Sequence, residues 1–296
     1  MVSRLLPILS LLILAACATS PTGRHQLMLV SEQQAIVASK QAYLSQMSEL
    51  KSKGKLIEGT ALNRRINEIT GRLIAQAIRM RPDTANWEWS VEVIDDPDTV
   101  NAWCMAGGRM AIYTGLIQKI DPTDDELAQV MGHEIAHALA NHTAERMSVA
   151  LATNLGVIAA GAASNKPGLT MSATALAAKL ALELPNSRTS EAEADRIGIE
   201  LAAKAGYDPH AAVTLWQKMQ AVGGAGPPAF LSTHPSPANR MQTLAALIPK
   251  MMPYYEAPGA RPVYPLHEPR IPPAAASSAM TQSQNAATTI HISHSR

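Results

Sequence analysis

Apolar residues recur at helical spacing over most of the chain, and one short region drops to a period of two. Residues 31–51, SEQQAIVASKQAYLSQMSELK, open on Ser31 with Gln34 three positions later, the capping-box pattern that starts a helix. A second helix is predicted over Thr60–Met80, with Leu62, Ile66, Ile69, Leu73 and Ala77 on one face and Pro82 closing it. WEWSVEVI then alternates Trp87, Trp89, Val91 and Val93 against polar neighbours, which predicts a strand. After the turn residues DDPD, VNAWCMAGGRMAIYTGLI reads as a short strand, a turn or bulge at Gly107–Gly108 and a second strand through Tyr113. Together these predict a small sheet with edge potential.

The helical period returns at Thr123, which forms a capping box with Glu126 and puts Leu127, Val130, Met131, Ala138 and Leu139 on a broad face. VALATNLGVIAAGAAS, residues 149–164, is apolar but interrupted by Asn154 and short of the roughly twenty apolar residues a membrane span needs. It reads as a buried helix. Further helices are predicted over 169–184, from Ser190 to Ala205 with Gly206 as C-cap, and from Asp208–Pro209 to about Gln220. After a Gly/Pro loop, Ser236 and Pro237 are placed to start the last helix, and beyond Met252 proline and small polar residues predict a disordered tail. The expected fold is α+β and mostly helical, with a small sheet beside the helix that begins at Thr123. The expected organisation is a leader over 1–16, a linker over 17–30, one domain over 31–252 and the tail over 253–296.

Composition narrows this picture. The 296 residues carry a net charge of +1 and contain a single phenylalanine, Phe230, so the core is built from aliphatic residues and methionine. Lys and Arg form no basic stripe, which excludes nucleic acid as an expected partner. Arg4, the apolar run Leu5–Leu14 and LAAC (Leu14–Cys17) resemble a bacterial lipoprotein signal, which implies cleavage before Cys17 and lipid on that residue. Ala at position 18 then implies the outer membrane, with the chain in the periplasm. Cys104, the other cysteine, has no intramolecular partner and reads as a core residue.

The chemistry is concentrated in QVMGHEIAHALANH, residues 129–142. His133 and His137 are four apart on a helix and can reach one ion, with Glu134 placed to act on a water at that ion. Such apolar surroundings would make partnerless imidazoles costly, so a zinc site is expected, one ion per chain. His142 lies about 140° round an ideal helix from His137 and is set aside. Ala140 and Thr143 stand where a metzincin needs Gly and His. A third ligand must come from elsewhere, and SRTSEAEADRIG supplies Glu191, with Asp195 on the same face able to accept a ring N–H from a zinc histidine. Glu193, roughly 160° away from Glu191, is expected to be solvated.

NAWCMAGGRMAIYTGLI, HEIAH, SRTSEAEADRIG and STHPSPANR stand in the order found in the M48 zinc metallopeptidases, and over about residues 30–250 the chain resembles that gluzincin family. The resemblance implies a zincin-like fold, His133, His137 and Glu191 as zinc ligands, Glu134 as catalytic base, and Asp195 as a supporting group sometimes described as proton donor. The segment 232–240 adds His234 and Arg240 as candidates to stabilise the oxyanion, and His234 also as a fourth ligand that closes the site. The chain resembles the short lipoprotein type, a zinc endopeptidase of the bacterial envelope that removes misfolded or misassembled periplasmic and outer-membrane proteins. Outer-membrane assembly machinery is a further expected partner. Substrate is expected to add as a strand along Arg109, Met110, Ala111, Ile112 and Tyr113. The alternative is a chaperone-like protein that holds unfolded clients on its edge strand with the site closed.

Overall fold

The computed structural model describes residues 17–164, 172–222, 228–235, 239–266, 269 and 271–272. The leader over 1–16, the start of the helix expected at 169, Ser236–Pro237 and the tail beyond 272 lie outside the described residues.

Strands β1 (Cys17–Thr19) and β2 (His25–Leu27) pair antiparallel as a hairpin. Helix α1 (Glu32–Ser52) follows, with the capping box of Ser31 and Gln34 formed, then β3 (Leu56–Ile57) and α2 (Ala61–Met80), capped by Thr60 and Asn63. Pro82–Asn86 is a 3-10 turn, so the regular strand β4 begins only at Ser90 and runs to Ile94. The alternation read from Trp87 does not give this strand a wet face, because Ser90 and Glu92 are buried with their neighbours.

Strands β5 (Ala102–Met105) and β6 (Arg109–Tyr113) flank Gly107 and Gly108, both at positive φ. A Cβ on Gly108 would also stand 2.4 Å from the Trp89 ring, so glycine is required there twice over. The sheet order is β3-β4-β6-β5, with β4 and β6 parallel and β5 antiparallel to β6. This corrects the expectation for substrate. Arg109, Met110, Ala111, Ile112 and Tyr113 form an interior strand whose backbone is paired on both sides, and the edge beside it is β5.

The remaining helices are α3 (Thr114–Ile120), α4 (Asp124–Leu139), α5 (His142–Ser164), α6 (Ala173–Leu182), α7 (Arg188–Lys204), α8 (Ala211–Ala221), α9 (Ala229–Thr233) and α10 (Arg240–Tyr255). Helix α4 is the centre of the molecule: every residue from Glu126 to Leu139 is buried, not only the predicted face. Val149 and Leu151, expected in a buried helix, are exposed, and no helix among the described residues is long and apolar enough to cross a membrane.

The described parts of the expected linker and tail carry ordered contacts. Residues 17–27, assigned to a linker, form the hairpin, with Ser20 and Gln26 buried. In the tail, α10 continues through Pro249 and Pro253 to Tyr255, Arg261 donates to the Lys204 and Tyr255 carbonyls, and the Tyr264 N–H donates to the Gly71 carbonyl. Composition alone missed this because a few long side chains anchor an otherwise irregular backbone.

Candidate metal centre

The C-terminal half of α4 carries His133, Glu134 and His137, and the N-terminal turns of α7 carry Glu191 and Asp195. The two helices approach closely through glycine. A Cβ on Gly132 would lie 2.9 Å from the Gly198 carbonyl oxygen, and one on Gly198 would lie 2.8 Å from the His133 nitrogen. This contact brings Glu191 to the histidines. Ser187 caps α7, so the helix starts two residues before the predicted Ser190.

His133, His137, Glu191 and His234 are all buried, and their ligand atoms lie within 4.8 Å of one another. His133 Nε2 is 3.0 Å from His137 Nε2, 3.2 Å from His234 Nδ1 and 3.3 Å from Glu191 Oε2. Glu191 Oε1 is 3.2 Å from His137 Nε2 and 3.0 Å from His234 Nδ1. Bonds of about 2.0 Å from a tetrahedral zinc put its ligand atoms about 3.3 Å apart. Three imidazoles and a carboxylate converging at this spacing fit that ion. Burial would raise the Glu191 pKa, but the His234 and His133 imidazoles outweigh it and hold the carboxylate far below its usual range.

The groups behind the ligands are equally ordered. Asp195 Oδ1 accepts from His133 Nδ1 at 3.0 Å, as its spacing from Glu191 predicted, which leaves Nε2 to face the centre. Burial opposes charge on His133, yet Glu191 and the Asp195 bond raise its pKa to about 9. His137 has no such carboxylate behind it, and burial pushes its pKa well below the usual value.

Arg240 sits differently from the oxyanion role considered for it. Its guanidinium donates to Asp195 at 2.5 Å and to Glu191 at 3.2 Å and lies 3.5 Å over the Trp216 ring. It is therefore a clamp on two carboxylates.

Glu134 is fully buried, and burial raises its pKa. The backbone of Cys104 on edge strand β5 opposes that rise, while Oε1 lies 3.3 Å from His234 Nε2 and is hydrogen-bonded to nothing. His234 stacks on Phe230 at 4.4 Å and meets the Asn186 amide at 3.3 Å, and Asn186 in turn accepts from Arg146. Burial lowers the Arg146 pKa to about 10, against the opposing pull of Glu191 and Glu134. The space between β5 and the cluster is a cavity of about 20 Å³ lined by Trp103, Cys104, Glu134, His137, Asn186 and His234. That volume has room for one water molecule and none for a peptide.

Two residues set aside on sequence are part of this environment. Helix α4 ends at Leu139 and Asn141 adopts φ 56, so the chain reverses and His142 returns to place its Nδ1 2.8 Å from His137 Nδ1. The 140° rotation assumed a helix that no longer exists there. Glu193, expected in solvent, is buried under the hairpin and lies 3.1 Å from His142 Nε2. Asn186 and Arg146 carried no signal in sequence, since nothing in their spacing ties them to the histidines.

The model of peptidase family M48 matches residues 60–248 of this chain. Among curated proteins, "Metalloendopeptidase OMA1, mitochondrial" of Bos taurus is 35% identical over 243 residues, covering 78% of this chain and 46% of the relative. "Mitochondrial metalloendopeptidase OMA1" of Arabidopsis thaliana is 40% identical over 158 residues, covering 53% and 31%. "Beta-barrel assembly-enhancing protease" of Escherichia coli is 30% identical over 202 residues, covering 65% of this chain and 40% of the relative. The chain thus spans less than half the length of each of these relatives.

Proposed function

This chain belongs to peptidase family M48, and from that premise we propose that it is a zinc endopeptidase of the bacterial cell envelope acting on misfolded or misassembled envelope proteins. The observation that carries the enzymatic reading is Glu134, a buried carboxylate with an oxygen bonded to nothing, facing four metal donors. A purely structural zinc site has no use for it. The envelope assignment is supported by the lipoprotein-like leader and the E. coli relative, whose name concerns β-barrel assembly. The mitochondrial relatives concern another compartment, so location rests on the leader.

His133, His137 and Glu191 would hold the zinc, which when bound supplies a Lewis acid for a peptide carbonyl and lowers the pKa of water. Glu134 takes and returns the proton. Its raised pKa, from burial, moves it towards neutrality, as a general base working there requires. Asp195 holds His133 in one tautomer, and Arg240 holds Asp195 and Glu191 in place. An extended peptide would pair with the outer edge of β5, which is buried, once His234 and the segment around Asn186 move aside.

The second reading, a chaperone-like binder whose site seldom opens, draws on one observation: His234 takes up the fourth position on the cluster. Incubating the full chain with casein separates the two. The wild type should cleave, a chelator should abolish cleavage, and Glu134→Gln should lose roughly 10²–10⁴-fold in rate while retaining zinc. Undiminished cleavage by Glu134→Gln would sink the assignment of the base, and no cleavage by the zinc-loaded wild type would favour the binder.

A further inference from the structure

One buried series of polar groups is left unused by this mechanism. His142 opens α5 with its side chain 1% exposed, and it bridges His137 and Glu193, its Nδ1 on the first and its Nε2 on the second. The tautomers along the series follow from one another. His137 turns Nε2 to the centre, towards His133 at 3.0 Å and Glu191 at 3.2 Å, so as a neutral metal ligand it carries its proton on Nδ1. That N–H meets Nδ1 of His142, which must then be an acceptor. His142 therefore carries its own proton on Nε2, and this N–H meets the Glu193 carboxylate.

Glu193 is held in turn by the N-terminal hairpin. The Ser20 and Thr22 hydroxyls donate to Oε1, and Arg24 Nε donates to Oε2 at 2.7 Å. The other face of Arg24 grips Glu145 through two bonds of 2.6 Å, and Gln26 reaches the Ala140 carbonyl at the end of α4 at 2.7 Å. The hairpin thus touches both the carboxylate that ends the series and the end of the helix that bears His137.

We propose that His142 and Glu193 form a positioning relay that fixes the ring orientation and tautomer of His137 for zinc, completed by the N-terminal hairpin through its hold on Glu193. Metal affinity is then coupled to hairpin docking. The relay does for His137 what Asp195 does for His133, with an extra imidazole because among the described residues no carboxylate pairs with His137 Nδ1. It rests on the zinc reading of the site.

The test is zinc affinity of the full chain, measured by competition with a chromophoric chelator, with circular dichroism checking the fold. His142→Phe keeps the ring volume and removes the acceptor, and is expected to weaken zinc by about 10–100-fold. His142→Asn puts a carboxamide oxygen where Nδ1 stood and is expected to recover most of that loss. Arg24→Ala, on the half-buried hairpin, should weaken zinc in the same direction by a smaller factor, without touching the core. Combining it with His142→Phe should then cost less than the product of the two separate losses. A role in packing alone would follow volume, and zinc binding by the Phe variant as tight as or tighter than by the Asn variant overturns the relay. Wild-type affinity in Arg24→Ala overturns the coupling to the hairpin. If the wild type binds no zinc, the metal reading falls and the relay with it.

Discussion

His234 stands at the fourth position of the cluster. Its Nδ1 lies 3.2 Å from His133 Nε2 and 3.0 Å from Glu191 Oε1, a fourth ligand position that a hydrolytic zinc site keeps for water. Stacking on Phe230 and contact with Asn186 hold it there. We expect His234→Ala to raise casein cleavage several-fold while weakening zinc, both read on the same preparation. Unchanged rate and affinity would make His234 an ordinary loop residue. The ligands on α4 and α7 were legible in sequence because helical spacing states which side chains share a face. His142 was not, since that rule holds only while the helix continues, and Asn141 at φ 56 ends it.

At the scale of elements, the centre depends on how closely α4 and α7 approach. Gly132 and Gly198 face each other across that contact with no room for a methyl group on either. Gly198→Ala must push α7 away from α4, and with it Glu191. A loss of about 1–3 kcal/mol in stability is expected from overpacking, with weakened zinc binding, as measured by thermal unfolding with and without the metal. A variant with wild-type Tm and affinity would show that the helices can separate without cost. Both glycines stand beside recognisable motifs, but a glycine in a helix does not declare its partner. The sheet is a similar case: two strands and a glycine turn were readable, yet local pattern could not say that β6 lies inside and β5 at the edge, because strand order depends on which distant segment pairs.

For the whole molecule, the hairpin changes the expected relation to the membrane. If Cys17 bears the lipid, only three residues carry the chain to Ser20, which is buried against Glu193, and three residues span at most about 10 Å. The peptidase body would then sit against the bilayer surface, with the segment expected as a linker taken up by the hairpin. Mass spectrometry of the mature chain tests the anchor directly: the wild type should begin at Cys17 and carry the mass of a lipid there, and Cys17→Ser should lack that mass. A mature wild-type chain without it would rule out lipid on Cys17.

Sequence alone determined what depends on short-range periodicity. It predicted most of the helices, though not α3 or α9, put His133, Glu134 and His137 on one and Glu191 and Asp195 on another, and offered His234 as a candidate for the fourth position. Tertiary structure alone decided what depends on segments far apart in the chain. It made β5 the edge and turned Arg240 onto two carboxylates. It also converted a polar N-terminal stretch into a clamp on Glu193 and returned His142 to His137. The physical reason is that a helix fixes the direction of its own side chains through local hydrogen bonds, whereas a buried polar group takes whatever partner the packing brings, and must have one.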